Sequence, residues 1–65
     1  MKVRDVLKRL NDDGWFLARQ NGSRRVFKHP LHPERRVVLA GHPNQDIPIG
    51  TQKSIYEQAG WEEQP

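Results

Sequence analysis

Arg24, Arg25 and Lys28 stand within five residues of one another, just after an Asn21-Gly22 turn signal, with His29 next in line and His42 further along. Side chains of these types suit phosphodiester cleavage. Metal-free RNA cleavage needs a base to take the 2′-hydroxyl proton, and cations aimed at the charge that develops on the phosphorane. The three cations could meet the second requirement, and His29 or His42 the first. Three His-Pro pairs, His29-Pro30, His32-Pro33 and His42-Pro43, raise a metal site as a rival chemistry. Their spacing fits no tetrahedral ligand set and the chain has no cysteine to assist. The simpler account, above all for His32, is a loop histidine whose following proline holds the chain extended. No metal or other cofactor is therefore expected. No glycine-rich phosphate loop and no Ser-His-Asp or Cys-His arrangement can be drawn. Ser23 reads as a turn residue or a backbone hydrogen bonder.

The charge distribution points the same way. The 65 residues carry a net charge of +3, but the excess is local. Residues 19–36 hold Arg19, Arg24, Arg25, Lys28, Arg35 and Arg36 against Glu34, while residues 46–65 hold Lys53 against Asp46, Glu57, Glu62 and Glu63. A basic patch of this kind is what a polyanion-binding face looks like; the bland alternative is a solvated strand face. The length allows one domain, 1–65, burying only about 60% of its unfolded surface. Without cysteine there can be no disulfide and no thiolate zinc site, which is compatible with a reducing compartment. No apolar run approaches the ~20 residues of a membrane helix, and no signal peptide opens the chain. A soluble, cytoplasmic protein with no membrane association is expected.

The elements that must position these residues can be read from periodicity. Val3, Val6, Leu7 and Leu10 form one stripe, which predicts an amphipathic helix over 3–13, stopped at Gly14 by a left-handed residue. Residues 15–20 read as a strand, with Trp15, Leu17 and Arg19 on one side and Phe16, Ala18 and Gln20 on the other. Asn21-Gly22 turns the chain. Residues 24–29 return, with Arg24, Val26 and Lys28 on one face and Arg25, Phe27 and His29 on the other. Two prolines make 30–34 a loop, and β-branched residues make 35–40 the third strand. Thr51 is the expected N-cap of a second helix over 51–59, closed by Gly60 with Trp61 in contact behind it. Residues 62–65 read as a frayed tail. The connections are too short for crossovers, so three antiparallel strands make a meander. The predicted class is α+β, with two helices on one face of the sheet. This α-β-β-β-α order is also that of double-stranded-RNA-binding domains.

Several separated motifs together resemble one family. They are Asp13-Gly14-Trp15; Gly22-Ser23 with Arg25, Phe27, Lys28, His29 and Pro30; Ala40-Gly41-His42-Pro43; and Gly50-Thr51 with Ser54, Ile55, Gln58, Ala59 and Gly60. In order and spacing, across nearly the whole chain, they resemble HicA toxins, the ribonuclease halves of bacterial HicA–HicB toxin–antitoxin pairs. The resemblance implies a double-stranded-RNA-binding-domain-like fold. It implies an mRNA interferase, an endoribonuclease cleaving messenger RNA without a required metal. It also implies a HicB antitoxin that covers the active face. The family pattern is Gly-Ser-His, and its histidine is catalytic; here that position is Arg24. Arginine stays protonated and cannot be a general base, though it can still bind phosphate in a bidentate way. His29 lies an odd number of residues away, so an unbroken strand points it to the opposite face. Three explanations stand: a substituted, silenced form; a natural member that has lost cleavage and kept binding; or transfer of the role to His42. Loss of activity in this chain is the favoured one. Gln52 and Tyr56 stand where the family usually has aliphatic residues, which predicts a modest packing change.

The expected RNA-binding set is Ser23, Arg24, Arg25, Lys28 and His29, with Arg19 and Arg36 as outlying cations. The rival functions are a non-catalytic RNA-binding module of the same fold and a protein-interaction domain whose basic face meets an acidic partner.

Overall fold

The computed structural model describes residues 1–61. Its elements run α1 (Val3–Asp12), β1 (Phe16–Asn21), β2 (Arg24–His29), β3 (His32–Leu39) and α2 (Ile49–Ala59). The strands form one antiparallel sheet in the order β1-β2-β3. This is the expected α+β class, a meander with a helix at each end. The tail expected at 62–65 lies outside the described residues.

The apolar stripe of α1 buries Val3, Val6 and Leu10. These residues and Trp15 meet Phe27 of β2, Val37 and Leu39 of β3, and Ile55 and Ala59 of α2 in one cluster. Both helices therefore lie on the sheet face that carries Phe27, Val37 and Leu39. The first turn of a helix leaves backbone donors without intrahelical partners. In α1 the N–H groups of Val3 and Arg4 donate to the carbonyls of Gln45 and Pro43 at 2.9 and 3.0 Å. The Lys2 N–H donates to the Asp5 carboxylate at 2.9 Å. The segment between β3 and α2 thus doubles as the cap of α1. At the other end of the chain, Gly60 adopts φ 74°, and Trp61 N–H donates back to Tyr56 O at 2.9 Å. Together these close α2 in a Schellman-like turn.

Four local features differ from the sequence expectation. The hairpin turn is Gly22-Ser23, not Asn21-Gly22: Asn21 pairs with Arg24 as the last rung of the ladder, and the positive φ falls on Gly22 at 61°. The supposed loop 30–34 is mostly strand. A tight turn at Pro30-Leu31 joins β2 to β3, which starts at His32. Pro33 is tolerated because β3 is an edge strand. The register also jumps between the His29–His32 and Lys28–Arg36 pairs, so the missing N–H breaks no regular rung. α2 begins at Ile49, two residues early: Gln52 N–H already donates to Pro48 O at 2.9 Å, leaving Thr51 inside the first turn. Finally, β1 carries a bulge between Leu17 and Arg19, and all six of its residues are exposed, because the helices lie beneath β2 and β3.

Candidate nucleic-acid interface

Directly paired residues of adjacent strands share a face. Pairing therefore sets out the open face of the sheet in rows: Phe16–Lys28–Arg36, then Arg19–Val26–Val38, then Asn21–Arg24. The alternation of β2, with Phe27 and His29 buried, puts Arg24, Val26 and Lys28 on the side away from the helices. Arg19, Asn21, Arg24, Val26, Arg36 and Val38 line a shallow cleft there. Arg24 also lines a second cleft with Ala40, Gln45, Asp46, Pro48 and Thr51, so it stands between the two. The ion pairs among the described residues are Lys2–Asp46 and Lys8–Asp12. Neither involves Arg19, Arg24, Lys28 or Arg36; Asp46, the partner of Lys2, lines the second cleft with Arg24.

The remaining expected site residues lie elsewhere. His29 is only 8% exposed and faces the helices. Its Nδ1 accepts the Leu31 N–H at 3.1 Å, its Nε2 lies 2.7 Å from the Asp13 carbonyl oxygen, and its ring meets Trp15 edge-on at 5.2 Å. The structure does not bring it to Arg24 and Lys28. Arg25 is half-buried on the same helix-side face, where Nη1 donates to Gly41 O at 3.0 Å and reaches Ser23 O at 3.5 Å. Arg25 is thus a tie between the β1–β2 turn and the loop carrying His42. His42 is exposed, in a turn closed by Gln45 N–H donating to His42 O at 2.9 Å. It lines neither cleft beside Arg24.

The corner that supports β1 is built around Asp13. Its Oδ2 accepts both indole N–H groups, from Trp15 at 3.0 Å and from Trp61 at 2.9 Å. The bond from Trp61 is the largest influence holding the carboxyl below the ordinary aspartate range. Partial burial opposes it, and the bond from Trp15 and the electrostatic influence of the nearby His29 and Arg9 reinforce it. Arg9 lies over the Trp61 ring at 4.4 Å and the Tyr56 ring at 5.2 Å, so Tyr56 is absorbed into a cation–π stack. These contacts lock the start of β1 to α2 from beneath and leave the upper face free.

Phe16 is the residue the sequence reading did not assign to the site. Strict alternation sets it opposite Arg19, but the bulge between Leu17 and Arg19 reverses the phase. Phe16 and Arg19 therefore share the open face. The clue available in the sequence was weak: two adjacent large apolar residues, Phe16 and Leu17, with a core for only one side. Chemically, the open face can bind phosphate oxygens through guanidinium forks and an ammonium. It holds no imidazole or carboxylate among the residues lining its cleft. Among the described residues no three His, Cys, Asp or Glu side chains converge as a metal site, and no helix is long and apolar enough to cross a membrane.

The family model described as the HicA toxin of bacterial toxin-antitoxin matches residues 3–61. The chain belongs to the HicA toxin family. No curated protein matches it. The family makes this HicA chain the toxin of a toxin–antitoxin system, which brings with it an antitoxin partner. The match takes in every element from α1 to Trp61, including the hairpin that carries Arg24 and the Gly41–Pro43 segment that Arg25 holds. In this HicA chain Arg24 projects on the open face and not into the core.

Proposed function

We propose that this HicA chain is the RNA-binding toxin of a type II system, an mRNA interferase scaffold whose endoribonuclease step is silenced at Arg24. Arg19, Arg24, Lys28 and Arg36 bind the phosphates of messenger RNA. Ser23 and Arg25 shape the turn that presents them. A HicB-like antitoxin neutralises the toxin in the cytoplasm by covering the same face. The observation that carries this reading is the place of Arg24, at the junction of two clefts and beside Arg19 and Arg36, with no imidazole lining either cleft. A guanidinium there binds a phosphate but takes no proton from a 2′-hydroxyl.

The test compares this chain with Arg24→His in growth assays and RNA-cleavage gels. Growth arrest and messenger RNA loss with the variant alone support the reading. Cleavage by the unaltered chain moves the base elsewhere, and His42→Ala follows. That second reading is favoured by one contact, the Arg25 bond to Gly41 O, which tethers the His42 loop to the hairpin. If neither form cleaves while both bind RNA, the chain is a binding module.

A further inference from the structure

Phe16 is 49% exposed and heads a row in which Lys28 and then Arg36 follow across the sheet. A large apolar ring left half in water beside cations needs a reason. The core has room for Trp15 next door, and Leu17 takes the opposite side of the strand, paired with Phe27. The ring's surroundings on the open face are Lys28 beside it, Arg19 further along β1 and Arg36 two strands away, an arrangement unsuited to an apolar protein partner. It suits a ligand that is anionic at one edge and aromatic at the other.

We propose that the open face takes single-stranded RNA, with Phe16 as the platform on which one base stacks while Lys28, Arg36, Arg19 and Arg24 hold the flanking phosphates. This rests on the RNA reading above and narrows it to one form of RNA. Base–aromatic stacking on a sheet face flanked by cations is a general solution for unpaired strands, because every base has a π-face. A duplex buries those faces in its own stack and leaves Phe16 nothing to cover it. The geometry fits an extended strand. Lys28, Val26 and Arg24 succeed one another at about 7 Å along β2, from two residues of strand rise each, close to the repeat of an extended sugar–phosphate backbone. Val26 and Val38, both half-buried on this face, supply an apolar floor against which a ribose can lie.

The test measures anisotropy of a labelled ten-nucleotide single-stranded RNA and of a labelled RNA hairpin of the same composition. The proteins are this chain, Phe16→Ala, Phe16→Trp, Leu17→Ala and the double variant Arg19→Ala/Arg36→Ala, each checked for folding by circular dichroism. Leu17 is as exposed as Phe16, at 48%, but points to the other face. The expected result is tighter binding of the single strand than of the hairpin. Phe16→Ala should weaken the single strand about five- to a hundredfold, with little change for the hairpin. Phe16→Trp should retain affinity, and Leu17→Ala should leave it unchanged. The inference alone is overturned if RNA binds and needs Arg19 and Arg36, yet Phe16→Ala matches the parent, the hairpin is preferred, or Leu17→Ala costs as much. In those cases Phe16 serves a protein contact or the strand's own stability. If neither RNA form binds, or binding ignores the two arginines, the RNA reading itself falls and the stacking proposal with it.

Discussion

His29 Nε2 sits 2.7 Å from the carbonyl oxygen of Asp13, and the residue after Asp13 is a glycine because of it. With Nδ1 accepting the Leu31 N–H at 3.1 Å, the hydrogen-bond network assigns the ring proton to Nε2, which donates to Asp13. One imidazole thereby joins the end of α1 to the β2–β3 turn. Gly14 has φ +91°, and a Cβ there would lie 2.9 Å from His29 Nε2. Gly14→Ala should lose about 1–3 kcal/mol through backbone strain and displacement of the ring, read as a lower urea midpoint. His29→Ala should lose about 2–4 kcal/mol, since it removes a packed, buried ring and its bonds to the Leu31 N–H and the Asp13 carbonyl. A midpoint unchanged in either variant would remove this ring from the list of structural ties.

Acid should loosen the Asp13 corner. The folded carboxyl titrates below its unfolded value, chiefly because the Trp61 indole donates to the carboxylate. Its contribution is therefore complete above the unfolded value, near pH 4, and drains away as pH falls from there through the lower folded value. Asp13→Asn should flatten the pH dependence of stability in this acid range, and at neutral pH should cost only about 1 kcal/mol, because the site is open to solvent screening. Urea unfolding followed by tryptophan fluorescence at pH 3 and pH 7 measures both, since Trp15 and Trp61 report directly.

Gln58 closes an exposed sheet edge. Its Oε1 accepts the Val38 N–H at 3.0 Å, from α2 across to β3. An unpaired N–H on an edge strand is both a stability cost and a template for pairing with another chain. Gln58→Ala should lower stability by about 1 kcal/mol and speed deuterium exchange at Val38 selectively. Exchange at Val38 no faster than in the parent would show that the helix does not protect this edge.

Arg24 and Arg25 should separate cleanly although they are neighbours. Arg25→Ala removes the bond to Gly41 O and should cost about 1 kcal/mol of stability. Arg24→Ala, on the open face, should leave the thermal midpoint within error and reduce RNA affinity. Thermal melts and anisotropy on the two variants decide this. Equal effects of both on both readouts would contradict the opposed faces described above.

Salt should report how many cations touch phosphate. If Arg19, Arg24, Lys28 and Arg36 each neutralise one, log K against log salt should fall with a slope of about −3 for a single strand, and Arg36→Ala should reduce it by about 0.7. A slope near zero would exclude phosphate neutralisation as the source of affinity.

Much of this HicA chain is legible from residue order. The stripe Val3, Val6, Leu10 determines α1 and its buried face, because helical spacing is a local property. Gly60 and Trp61 mark the end of α2 for the same reason, and the alternation of β2 separates Arg24 and Lys28 from Phe27 and His29. The basic patch, with Arg24 in it, is also visible in the sequence. What only the tertiary structure decided depends on pairing across the chain. Pro33 reads as loop until β3 is seen to be an edge strand with a register jump opposite it. Three His-Pro pairs look alike until His29 is found under the sheet, bonded to Asp13 and Leu31, while His42 stays in solvent. Arg25 looks like one more cation until Gly41 accepts from it. Phe16 changes faces because a single bulge in β1 reverses the two-residue period. A bulge is set by the competition of two strands for rungs and by the helices beneath them, and no residue of β1 alone encodes it.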